Sequence, residues 1–221
     1  YAATELRSGV FLSGPDGRFH FEALPHVAQI APVQGLLAGD FDGDGKADIY
    51  AVHNSYAPIP VIGRFDGGLS LLLRGDGQGR FTPAAHAASG LVVPGDAKAL
   101  ALVDLGDDGW PDFLATRNNS TTLAFCNGGS IPGRQFVRVN LRGRPGNPTA
   151  VGARITAILA DGTVQCAEVH AGQGYCTQST AACFFGFTAT NPLRLLRVRW
   201  PDGGETETKV AGGTPVLVIE R

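Results

Sequence analysis

The chain has 221 residues, a formal net charge of −2 and only three lysines, Lys46, Lys98 and Lys209, so it has no basic stripe with which to neutralise nucleic-acid phosphates. No run approaches the roughly 18 apolar residues of a membrane-spanning helix, and the opening YAATELRSGV lacks the charged-then-apolar order of a signal peptide. With 31 glycines and 14 prolines beside an apolar content of 43%, the composition excludes a disordered or collagen-like chain and favours short strands joined by turns. The length suits two domains, each able to bury a core. The chain begins at Tyr1 and contains no Met, so a processed piece of a longer precursor is expected.

In chain order, the first predicted element is a hairpin, GVFLSGPDGRFHFEAL over residues 9–24, with Gly and Asp in the turn between two β-prone arms. An apolar strand, GLLAGDF, then leads into an acidic loop and out through DIYAVHN. A second hairpin, LSLLLRGDGQGRFTPA over residues 69–84, again ends its turn in Gly-Arg-Phe, which marks it as the counterpart of the first in a repeat. The strands ALALVDL and DFLATRN flank another acidic loop. From about Gln135 the pattern changes to FVRVNL, followed by two more hairpins, ITAILADGTVQCAEV and LLRVRWPDGGETETKV. The loose NGGSIPGR around residues 128–135 is taken as the boundary, giving domains 1–130 and 131–221.

The acidic loops carry the chemistry. In the first, Asp40, Asp42, Asp44 and Asp48 stand at positions one, three, five and nine, with Gly43 and Gly45 freeing the backbone to curl. Calcium takes six to eight hard oxygens at about 2.3–2.6 Å, and carboxylates on alternate residues of a tight loop converge on one centre. An EF-hand would need Glu at position twelve between helices. That position is Ala51, and the flanks read as strands. The second loop lies 64 residues on and keeps Asp104, Asp108 and Asp112 at positions one, five and nine, but has Gly106 at position three and its displaced acid at Asp107. One strong calcium site and one weaker one are expected.

Four cysteines, Cys126, Cys166, Cys176 and Cys183, form no CxxC motif, and two disulfides are expected. Cys166 and Cys176 flank His170-Ala171-Gly172, as if across a hairpin, although all three connectivities stay open. Overlapping sequons make Asn118 and Asn119 glycosylation candidates. Arg74-Gly75-Asp76 is read as a hairpin turn and the five scattered histidines as structural. No nucleophile elbow, P-loop or dinucleotide fingerprint occurs.

Residues 5–127, through DFDGDGKADIYAV, DGWPDFL and the GRF phrases, resemble FG-GAP or VCBS repeats of integrin-α-like propellers and cartilage-acidic-protein-like proteins. That resemblance implies calcium held between two strands of each four-stranded blade. Residues 136–220 resemble the ASPIC/UnbV domain, on Gly152-Ala153-Arg154, the stretch Ala171 to Ser179, Phe185-Gly186 and Trp200 to Gly203. The expected architecture is therefore all-β: a partial β-propeller of about two FG-GAP blades plus a leading hairpin, then a small β-sandwich or barrel-like domain. The expected function is an extracellular calcium-binding interaction, adhesion or assembly module without catalysis, secreted or at the cell surface, or periplasmic in a bacterium. Its partner would be a protein or glycan, with self-association or missing blades of the same precursor covering open edges. The alternatives are a carbohydrate-active lyase or hydrolase, resting on fold analogy alone, and a subunit of an extracellular filament.

Overall fold

A computed structural model describes residues 2–57, 60–129, 131–210 and 213–221. Among the described residues the protein is all-β apart from two four-residue helical turns, His26–Gln29 and His86–Ser89. Its strands are β1 (Gly9–Ser13), β2 (Phe19–Ala23), β3 (Val33–Gly39), β4 (Asp48–His53), β5 (Leu71–Gly75), β6 (Phe81–Pro83), β7 (Ala97–Val103), β8 (Asp112–Arg117), β9 (Leu123–Phe125), β10 (Arg134–Arg142), β11 (Arg154–Leu159), β12 (Val164–Glu168), β13 (Cys183–Thr188), β14 (Leu193–Arg199), β15 (Glu205–Lys209) and β16 (Val216–Glu220). They form a two-stranded sheet β1-β2, a four-stranded sheet β3-β4-β5-β6 and three-stranded sheets β7-β8-β9 and β13-β10-β16, with a second four-stranded sheet β12-β11-β14-β15. All four predicted hairpins form, as β1-β2, β5-β6, β11-β12 and β14-β15. Each has glycine where the turn needs a positive φ, as at Gly17, Gly77, Gly162 and Gly203.

The chain divides into two compact units, one of residues 1–38, 47–100 and 115–123 and the other of residues 39–46, 101–114 and 124–221. This division does not follow a single cut near residues 128–135, where Ser130 lies outside the described residues. The second acidic loop falls wholly in the unit that holds β10 to β16, and the first does so from Gly39 to Lys46, while Asp48 belongs to the other unit.

In the first unit, β4 reads DIYAVH and is buried at every position. Such a strand is covered on both faces and shows no polar alternation. Ile49 of β4 joins Leu71 and Leu73 of β5 and Ala28 in a core on which Val10, Leu24 and Phe81 pack. Beside it lies a polar network that the sequence did not announce. The Asn54 side chain donates to the carbonyls of Gly68 (2.7 Å) and Gly95 (2.8 Å) and accepts from the Gly68 amide (2.9 Å). Lys98 pairs with Asp96 at 2.5 Å, and Asn118 donates to the other Asp96 oxygen at 3.0 Å. Burial alone would raise the Asp96 carboxyl, but Lys98, Asn118 and a backbone amide outweigh it and hold the group below its ordinary value.

In the second unit, the sheets β13-β10-β16 and β12-β11-β14-β15 share one core. Alternation decides which side chains enter it. Val137, Val139 and Leu141 of β10 and Phe185 and Phe187 of β13 point inward, against Ile155, Ala157, Leu196 and Val198. The intervening residues face the other way. Arg134, Phe136 and Arg138 therefore share the opposite face of β10, where the register sets Phe136 against Gly186 and Arg138 against Phe184. Trp200 closes one end of the core with its indole N–H on Thr206 Oγ1 at 2.8 Å.

The two expected disulfides are absent, and all four cysteines are free. On β12 the cross-strand partner of Cys166 is Thr156 of β11, and its thiol lies 3.4 Å from an Arg154 nitrogen. It does not oppose Cys176 across a hairpin. Cys183 is buried on β13, which pushes its thiol up to about 12, while the other three are exposed.

Candidate metal centre

The first acidic loop links β3 to β4. Its shape comes from side chains that accept their own loop's amides. The Gly43 and Asp44 amides donate to Asp40 Oδ1 at 2.7 and 3.2 Å, and the Gly45 amide donates to Asp40 Oδ2 at 2.8 Å. The Asp44 amide is shared with Asp42 Oδ1 at 3.2 Å. These bonds require left-handed turns at Gly43 (φ 78°) and Gly45 (φ 83°), where a Cβ is costly. At the end of the loop, Asp48 Oδ1 accepts the Gly75 amide at 2.9 Å, so the central residue of the Arg-Gly-Asp tripeptide serves the loop. Asp76 of that tripeptide pairs with Arg80 at 2.7 Å.

The fold brings three of the four first-loop acids together. Carboxylate oxygens of Asp40, Asp42 and Asp48 lie within 4.8 Å of one another, about the span of two oxygens on opposite sides of one calcium ion. Asp40 and Asp48 are 9% and 2% exposed. Asp44 lies outside this group, its carboxylate taken by the Lys46 amide (2.9 Å) and ammonium (3.4 Å). Hard oxygens on a tight, glycine-freed loop fit a calcium ion, with backbone carbonyls or water completing the shell.

The loop is seated by the other unit-mates of its segment. A Cβ at Gly43 would lie 3.1 Å from Arg134 Cβ and Phe136 Cε2, and one at Gly45 would lie 3.4 Å from Gln165 Nε2. A Cβ at Gly186 would overlap Asp40 Oδ2 and lie 2.6 Å from Gly43 Cα. The Phe-Gly pair of β13 thus has two roles: Phe185 fills the core, and Gly186, facing the other way, leaves room for the loop.

The second loop, between β7 and β8, repeats the backbone design. Asp104 accepts the amides of Asp108 (3.2 Å) and Gly109 (3.0 Å), and Asp108 accepts that of Trp110 (2.9 Å), matching Asp40 and Asp44 position by position. Its side chains diverge. Arg138 Nη1 lies 2.7 Å from Asp104 Oδ2 and Arg138 Nη2 lies 2.6 Å from Asp107 Oδ1. Asp112 accepts the Leu105 amide on one oxygen and the Asn127 amide on the other, both at 2.7 Å. Asp104, Asp108 and Asp112 do not converge as the first-loop acids do among the described residues. This geometry does not fit the expected weaker calcium site, because the acids do not converge and a guanidinium already bridges Asp104 and Asp107.

Sequence reasoning gave Arg138 no role and marked Gly186 only as part of the Phe185-Gly186 landmark of the ASPIC/UnbV resemblance. A charged residue alternating with valines on a strand carries no signal of a distant acidic partner, and a landmark glycine does not say which segment comes to lie against it. Of the sequon residues, Asn118 is bonded through its amide nitrogen to Asp96, whereas Asn119 is exposed in a left-handed turn (φ 53°).

The chain is 22% identical over 205 residues to cartilage acidic protein 1 of Homo sapiens, an alignment covering 92% of this chain and 30% of that protein. It therefore spans under a third of that relative's length. From Gly143, directly after β10, to the C-terminal Arg221, residues 143–221 match the family described as ASPIC and UnbV.

Proposed function

We propose that the chain is a calcium-stabilised interaction module of an exported protein, with FG-GAP-type repeats in its first half and no catalytic chemistry of its own. The convergence of the Asp40, Asp42 and Asp48 carboxylates within 4.8 Å carries this reading. Two unit charges at that separation repel by about 3.5 kcal/mol at an effective dielectric of about 20. A divalent cation turns that repulsion into attraction and draws the ends of β3 and β4 together through one ion. The four-stranded sheet β3-β4-β5-β6, with its acidic loop between the first two strands, supports the blade assignment. The ion is structural: it stiffens a loop and the surface beside it. Exposed Phe11 and Phe19 on the leading hairpin, 70% and 71% accessible, support a protein partner or further blades as the covering surface. No helix among the described residues is long and apolar enough to cross a membrane.

Calorimetry on chelator-treated protein tests the site directly. One calcium ion should bind per chain, and Asp42→Asn should abolish binding. At free calcium 100-fold above Kd, stability should rise by about 2.7 kcal/mol. Absence of binding heat, together with one melting temperature in chelator and in excess calcium, would refute the reading.

A further inference from the structure

We propose that Arg138 is the built-in cation of the second acidic loop, which keeps its shape without a metal ion. This rests on the calcium reading of the first loop, because it is the departure from that pattern that assigns the role to Arg138.

The two loops share their backbone. Left-handed residues stand at positions four and six in both, Gly43 and Gly45 in the first and Asp107 (φ 56°) and Gly109 (φ 85°) in the second. The second loop has moved its acid from position three, now Gly106, to position four. An aspartate there adopts a backbone conformation that favours glycine. What it gains is the guanidinium: Arg138 bridges Asp107 and Asp104 with two separate nitrogens at 2.6 and 2.7 Å. The Asp104 side chain is 1% exposed and that of Arg138 16%, so the inner pair is shielded from water and salt. Arg138 is also held from behind. Its neighbours Val137 and Val139 are fully buried in the core, and its strand is paired on both sides, with β13 and β16. The planar guanidinium offers several N–H donors in a fixed fork, so one side chain can bridge both carboxylates. A metal ion could enter only by displacing a guanidinium that is fixed in place.

The consequence is a division of labour: one loop responds to calcium and its repeat does not. The test is calcium stoichiometry by native mass spectrometry and calorimetry on the full chain and on Asp42→Asn, Arg138→Lys and Arg138→Gln, with hydrogen exchange of segments 40–48 and 104–112 with and without calcium. The wild type and Arg138→Lys should bind one ion and Asp42→Asn none, whereas Arg138→Gln should double the bound calcium to two. In the wild type only segment 40–48 should gain protection. Two ions in the wild type, with protection of segment 104–112, would overturn the proposal, and so would a folded Arg138→Gln that binds no more ions than the wild type. If Arg138→Gln does not fold, the wild-type stoichiometry and exchange decide alone. No ion in the wild type but one in Arg138→Gln would sink the first-loop reading and leave this one standing; none in either would sink both.

Discussion

Replacing Gly186 by alanine tests how the acidic loop is held on the sheet. Gly186 has no positive φ, so alanine meets no backbone obstacle and should gain about 0.5–1 kcal/mol from reduced chain entropy. Against that, the new methyl overlaps Asp40 Oδ2 and lies 2.6 Å from Gly43 Cα. Neither neighbour can swing aside, because Asp40 is tied by the amides of Gly43, Asp44 and Gly45. Overpacking costs about 1–3 kcal/mol, and an approach this close to fixed atoms puts the cost at about 2–3 kcal/mol, so steric repulsion wins and a net loss of about 1–2 kcal/mol is expected. For a chain of this size that lowers the melting temperature by about 2–8 °C. Calcium affinity should fall with it, since Asp40 must move. Scanning calorimetry in chelator and calorimetric titration with calcium read the two effects separately. Wild-type values in both experiments would mean that the loop does not rest on β13, and the reasoning from the Phe185-Gly186 alternation would fail.

Two further predictions follow from buried groups. His53 is 3% exposed with neither ring nitrogen hydrogen-bonded, and burial lowers its pKa below 6.5. The unfolded chain therefore takes up the proton first, and stability should fall as pH drops below about 6.5, with a slope of up to about 1.4 kcal/mol per pH unit. Urea unfolding between pH 5 and 8 should show this slope, reduced in His53→Phe; an identical slope in both proteins would exclude His53 as its source. With three exposed thiols and one buried, a thiol reagent should modify Cys126, Cys166 and Cys176 in the native protein and reach Cys183 only in denaturant, while a non-reducing mass short by two hydrogens would reveal a disulfide.

Much of the local structure was legible in the sequence because it is set by neighbours a few residues apart. Gly-Asp turns between alternating or apolar arms specify hairpins wherever they occur, and all four formed. The 64-residue repeat of the acidic loops reappears as the same amide-to-carboxylate bonds, since Asp40 and Asp104 each fold the residues just after them. What the sequence could not reveal depends on which distant segment arrives beside a local one. Cys166 and Cys176 bracket a turn, yet strand register sets Cys166 against Thr156. Asp104 looks like a calcium ligand until β10 delivers Arg138 from 34 residues downstream. The assignment of residues 39–46 and 101–114 to the compact unit of the C-terminal sheets follows from the same cause. Strand alternation gives β10 and β13 a second face, and only tertiary packing decides what covers it. The chemistry of each loop was written locally, but whether its acids converge on one another or pair with an arginine was decided by the fold.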